Sequence, residues 1–162
     1  MKSVVQVDHC VKYIALTPRG DILQLWRHTD YREASNPIYV PSELAHEYYN
    51  PNEEVFTCEM ELYKVDTDEQ TIERITSLEN YALFLGFGST LLLCTKDFAM
   101  LKPNCVYLTD DYYKDICLNR NNRRDIGIWD FKTGTIESLG DVKFEHPWLN
   151  FPCPIWITPS LC

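Results

Sequence analysis

Asp110-Asp111-Tyr112-Tyr113, with Asp115 close behind, is the densest concentration of potentially reactive side chains in the sequence. Two carboxylates facing each other across a pocket, held about 5 to 9 Å apart, can hydrolyse a glycosidic bond as acid and base or as acid and nucleophile. Asp8, Asp21, Asp125 and Asp130 are the other aspartates that would complete such a pair with Asp110 or Asp111. Nothing in the sequence spacing fixes that separation, and acidic residues at a strand end or in a solvated loop are the plainer reading. The same four residues are also the sharpest candidate for a partner-binding surface, because rigid aromatic side chains bind at low entropic cost. They are assigned here to partner binding and not to catalysis.

Other reactive types lack the spacing their chemistry needs. Seven cysteines and four histidines contain no Cys-x-x-Cys and no His-x-x-x-His pair, so neither a loop nor a helical turn offers zinc two ligands, and no metal or cofactor is expected. Cys58, Cys94 and Cys105 sit in apolar runs and read as small buried hydrophobes. Gly86-Phe87-Gly88 begins a dinucleotide fingerprint, but Leu91 stands where the third glycine belongs, which leaves backbone bending between two strands as its role. Asn119-Arg120-Asn121-Asn122-Arg123-Arg124 follows an acidic loop in a chain of net charge −9 and reads as a solvated loop. That charge argues against nucleic-acid phosphates and anionic membranes as partners.

The elements that must position these residues are strands. In 162 residues, 45% hydrophobic and 24% charged, one core-forming domain is expected, burying roughly 70% of the surface of the unfolded chain. Short apolar runs alternate with turn residues, and sustained helical periodicity is nearly absent. Strands are expected over 11–16, 22–28, 56–65, 71–75, 81–87, 90–94, 105–109, 125–131, 135–139 and 154–158, with a helical turn over 96–101 closed by Pro103. Insertions are expected at about 29–54, containing a short helix over 42–49, and at about 110–124. The longest uncharged stretch, Asn80 to Thr95, is shorter than the roughly 20 apolar residues that cross a bilayer as a helix, so no membrane association is expected. No apolar leader opens the sequence and the cysteine count is odd, which together predict a cytoplasmic or nuclear protein.

An internal echo organises the chain. Tyr63 to Ile75 matches Ile128 to Leu139 if the first turn is allowed extra residues. Each half reads as hairpin, loop, hairpin, so the expected fold is all-β and mainly antiparallel: a single domain over 1–162, a partial β-propeller of about two four-stranded blades near 3–78 and 81–158. A closed propeller has about 4 to 8 blades, so strand edges are left open to homo-oligomerisation.

Specific residues carry a family likeness: Ala82-Leu83-Phe84-Leu85-Gly86, Asp97-Phe98, Lys102 to Asp111, Asp125-Ile126-Gly127-Ile128-Trp129-Asp130 and Pro154-Ile155-Trp156-Ile157-Thr158-Pro159, with Ile22 to Arg27 and Leu62 to Asp66 upstream. This pattern resembles the C-terminal part of the plant F-box-associated KIB-type β-propeller family, which is kelch-like. Ile128 to Gly134 is also similar to the end of a WD repeat, but the Gly-His pair of such repeats is missing. The KIB resemblance implies a non-catalytic protein-interaction module, like the propellers that select targets for cullin-type ubiquitin ligases. No F-box-like segment is found in the sequence, so a Skp-type adaptor is not an expected partner, and the chain reads as a shortened family member. The alternatives are a small carbohydrate-active enzyme using Asp110 or Asp111, or a truncated product without independent function. The identity of the protein target is not encoded in any motif.

Overall fold

The alternation of apolar and polar residues from Ile22 onward and from Phe56 onward gives each strand one face to bury, and a second sheet provides the cover. The computed structural model describes residues 9–33, 53–86, 88, 90–111 and 124–138. β1 (His9–Leu16), β2 (Ile22–Glu33), β3 (Glu53–Asp66) and β4 (Thr71–Ile75) form an antiparallel sheet in chain order. β5 (Tyr81–Leu85), β6 (Leu91–Cys94), β7 (Cys105–Leu108), β8 (Gly127–Asp130) and β9 (Thr135–Ser138) form a second sheet ordered β6-β5-β7-β8-β9. The fold is all-β and mostly antiparallel, in keeping with a partial β-propeller. Among the described residues the second sheet has five strands, one more than the four expected of a blade, and its β5–β7 pair is the parallel exception in a mainly antiparallel fold. The reason is topological: β6 returns along one side of β5, so the chain must cross back before β7 can occupy the other side.

The main core lies between the sheets. Ala15, Leu23, Leu25, Met60 and Leu62 of the first meet Leu83, Leu85, Val106, Leu108 and Trp129 of the second. Each leucine, valine or methionine among them contributes about 1.5–3 kcal/mol by leaving water. Ala82, Phe84, Cys105, Tyr107 and Ile128 form another buried cluster on the opposite face of the second sheet. Burial on both faces is why Tyr81–Leu85 and Cys105–Leu108 read as continuous apolar runs while β2 alternates.

The internal echo corresponds to the last hairpin of each sheet, β3–β4 and β8–β9. No extra residues are needed: Asp66 pairs with Thr71 and Asp130 with Thr135, each across four residues. In both turns the aspartate Oδ1 accepts backbone N–H groups, from Asp68 and Glu69 in one and from Lys132 in the other. Both also end on a left-handed residue, Gln70 at φ 54° and Gly134 at φ 64°. Gly127 is required for a different reason, since a Cβ there would lie 2.7 Å from the Glu137 carbonyl oxygen.

Three expectations change. The β2–β3 ladder continues past a bulge at His28/Thr29 to pair Glu33 with Glu53, so both ends of the expected 29–54 insertion belong to the sheet. Cys58 is the extra residue of that bulge and is exposed, not buried; Cys94 is half-buried, and Cys105 is a core residue. Residues 96–101 form successive turns, closed by N–H groups of Asp97 and Leu101 on the carbonyls of Cys94 and Phe98, and no helix. The expected helix over 42–49, the strand over 154–158, and residues 112–123 lie outside the described residues.

Candidate functional site

At one end of the seam between the sheets, the strand pattern places a cation where a leucine would be expected. Leu23, Leu25 and Arg27 share the core face of β2, and Arg27 is 1% exposed. A buried guanidinium needs partners for its planar set of N–H donors. They come from three directions. Arg27 Nε donates to Thr57 Oγ1 at 2.8 Å, NH1 donates to Asp111 Oδ1 at 2.7 Å and to the Tyr13 oxygen at 3.3 Å, and NH2 donates to Asp125 Oδ2 at 2.7 Å. The acceptors are linked in turn: the Tyr13 hydroxyl donates to Asp111 Oδ2 at 2.5 Å, and the Thr57 hydroxyl donates to Asp125 Oδ2 at 2.6 Å.

Local structure explains the convergence. Met60 faces the core, and in a regular strand Thr57, three residues away, would face the other side. The bulge at Cys58 turns Thr57 back to the core face, beside Arg27. Leu108 pairs with Gly127 at the ends of β7 and β8, so the residues beyond both strand ends leave the sheet at the same place. Asp111 and Asp125 thereby fall within reach of one guanidinium. A second ion pair joins the same stem, with Arg124 NH1 3.8 Å from Asp110 Oδ2 and both side chains buried.

Burial alone disfavours a charged Arg27, but Asp125, Tyr13 and Asp111 oppose that effect and raise its pKa further above the ordinary value. Burial raises the Tyr13 phenol well above its ordinary range; Arg27 works against this and Asp111 with it. Tyr13 is thus a hydrogen-bond donor at every physiological pH. The arrangement clamps the first sheet to both ends of the 110–125 connection.

Of the sequence candidates, Asp111 is in this network, with its side chain 14% exposed, and Asp110 is interior at 2%. The two ends of the expected 110–124 insertion are therefore core structure and not surface excursion. Tyr112 and Tyr113 lie outside the described residues. Asp125, one of the aspartates considered as a second carboxylate, is present too, but Arg27 bridges it to Asp111. The space a glycosidic oxygen and a water would require is occupied by the guanidinium. Arg27, Thr57 and Tyr13 were not singled out by sequence reasoning. An arginine in phase with two leucines on β2 was the available signal; Thr57 had none, because its orientation depends on the bulge.

At the other end of the seam a cleft of about 270 Å³ is lined by Thr17, Arg19 and Asp21 of the β1–β2 turn and by Asn80, Tyr81, Cys94 and Lys96. Asp21 is engaged by Lys64 at 2.7 Å, a bond that lowers the Asp21 pKa. No cluster of metal-ligating side chains occurs among the described residues, and no helix among them is long and apolar enough to cross a membrane.

Two blade-like sheets with aspartate-anchored hairpins, joined by a buried ionic clamp, define a β-propeller-type domain. The KIB1-4 β-propeller family model matches residues 3–130, and the chain belongs to that family. It is similar to the F-box protein SKIP23 of Arabidopsis thaliana, 28% identical over 124 residues, which are 76% of this chain and 30% of the relative. The chain therefore spans less than a third of that relative's length. No solved structure matches it.

Proposed function

We propose that the chain is a non-catalytic protein-interaction module whose recognition surface is built on the 110–125 connection. The observation that carries this reading is the clamp: Arg27 ties Asp111 and Asp125, and Arg124 approaches Asp110, so both ends of the connection are fixed to a rigid sheet. Loops of about 6–16 residues with adjoining, anchored ends are common binding elements, because a fixed stem lowers the entropic cost of ordering the loop on a partner. Tyr112 and Tyr113 follow the anchor directly and supply the aromatic contacts, while Asp110 and Asp111 hold the stem. The related F-box protein and the propeller family support a target-selecting role of the kind found in ubiquitin ligases. Target binding, and not adaptor docking, is the role assigned to these residues, in the cytoplasm or nucleus. The bridging of Asp111 and Asp125 by Arg27 supports the non-catalytic reading over glycoside hydrolysis.

The test is affinity capture from plant extract with the full chain, quantified against Tyr112→Ala/Tyr113→Ala. The expected result is a protein retained by the unaltered chain and depleted at least about tenfold by the double variant, whose circular dichroism stays the same. Retention of no protein beyond those held by an unrelated propeller would overturn the proposal, as would equal retention by the double variant.

A further inference from the structure

The cleft at the turn end of the seam collects cations and hydrogen-bond donors. It lies at the strand ends, where the β1–β2 turn approaches the start of β5 and the end of β6. Asp21, one of its carboxylates, is already engaged: Lys64 holds it at 2.7 Å and the Thr17 hydroxyl donates to it at 3.3 Å. Arg19 from the turn and Lys96 from beyond β6 line the same cleft, are exposed to solvent, and have no ion-pair or hydrogen-bond partner among the described residues. The Asn80 carboxamide and the hydroxyl of Tyr81, a residue half-buried against the main core, are likewise uncommitted there. Glu79 supplies the one carboxylate of the lining that nothing engages. The uncommitted groups are therefore two cations, a carboxamide and a phenol against a single carboxylate. With 24 acidic residues against 15 basic ones, the two free cations do not reflect a shortage of carboxylates in the chain.

We infer that this cleft binds a phosphate group, carried on a protein side chain or free. A phosphate monoester has close to two negative charges at neutral pH and three acceptor oxygens, so one group can engage a cation from each sheet and still accept from Tyr81 or Asn80. A carboxylate has one charge and two oxygens and matches fewer of these donors. The cleft volume of about 270 Å³ lies just below the range of about 300–1,000 Å³ common for small-molecule sites, which suits one charged group and not a cofactor. Glu79 opposes the anion and limits its affinity, so neutralising that residue should improve binding. This goes beyond target recognition by the 110–125 connection, which lies at the opposite end of the seam.

The test is an NMR titration of the full, isotope-labelled chain at low ionic strength with a capped Gly-phosphoserine-Gly peptide, its unphosphorylated twin and inorganic phosphate. The expected result is saturable shifts at residues 17–21, 79–81 and 94–96 with a Kd of about 1 mM or tighter, and none with the unphosphorylated peptide. Tighter binding of the phosphopeptide than of inorganic phosphate would assign the site to a modified side chain, and equal binding would assign it to the phosphate group alone; both support the proposal. Arg19→Gln and Lys96→Gln should each weaken binding at least about fivefold, and Glu79→Gln should strengthen it about two- to threefold. A gain at Glu79 beside losses at the two cations separates a site from a folding defect, which could only lose affinity. Lys132→Gln removes the same charge from the β8–β9 turn, two strands beyond β5, and leaves the affinity unchanged. No saturable shift at these residues up to about 20 mM ligand would overturn the proposal. Binding that Arg19→Gln and Lys96→Gln leave intact would overturn it too.

Discussion

Replacing Arg27 with methionine tests the clamp directly, because methionine keeps much of the side-chain volume and removes every donor. Asp125 and Asp111 would then face each other with side chains only 7% and 14% exposed and no cation between them. Breaking a buried ion pair from one side costs about 3–5 kcal/mol, since the remaining charge stays desolvated. Two carboxylates are stranded here, but Asp111 retains the Tyr13 hydroxyl and Asp125 retains the Thr57 hydroxyl, which places the expected loss at about 4 kcal/mol. Against a total of about 5–15 kcal/mol for a domain, that is a large fraction. With a urea slope of about 2 kcal/mol per molar, the unfolding midpoint should fall by about 2 M. Buried Trp129 provides the fluorescence signal. Arg27→Met combined with Asp111→Asn and Asp125→Asn removes all three charges and should recover at least about half of the loss, because neutral amides carry a far smaller desolvation penalty. A loss below about 1 kcal/mol for the single variant, or no recovery in the triple one, would refute the account of the clamp as a buried, charge-balanced unit.

Three further outcomes follow from neighbouring features. Tyr13 has a folded-state pKa raised above its ordinary value of about 10, so its contribution is complete below that value and is lost as pH rises above it; Tyr13→Phe should flatten this alkaline decline in a pH series of urea melts. Asn104, at φ 58°, accepts the Leu78 N–H at 2.8 Å and the Ser77 hydroxyl at 3.1 Å through Oδ1. Asn104→Ala should cost about 2–3 kcal/mol in the same assay, and Asn104→Gly about 1 kcal/mol less, because glycine retains the backbone conformation but not the hydrogen bonds. Gln70→Gly, in the turn where the other hairpin has Gly134, should raise stability by about 0.5–1 kcal/mol, and a thermal melt with no gain would show that the left-handed residue is unstrained.

The strands were legible because their signals are local. Alternation identified β3, turn residues separated β1 from β2, and the shared Asp and Thr-Ile-Glu residues of the two closing hairpins exposed the repeat. The parallel β5–β7 pair was not legible, since no local pattern says on which side of β5 the chain will return. The bulge at Cys58 was equally silent, and it alone decides that Thr57 faces Arg27. Of the site, the sequence showed the aspartates but not their cation: Asp111 and Arg27 are 84 positions apart, and only the packing of one sheet on the other brings them to 2.7 Å.

The position of that cation explains why an ionic clamp is compatible with a domain of this type. Apolar packing between sheets is non-directional and would tolerate small slides of one over the other. Arg27 binds Thr57 in its own sheet and two carboxylates in the connection beyond the second, each through a different nitrogen of a rigid plane. A slide therefore breaks charged hydrogen bonds in a buried setting, where they cannot be replaced by water at low cost. The apolar core, to which Leu23 and Leu25 of β2 belong, holds the sheets together, and the arginine at the end of the same row fixes their register. The recognition role proposed above for the 110–125 connection would need both, because affinity depends on how little the stem must be reordered when a partner arrives.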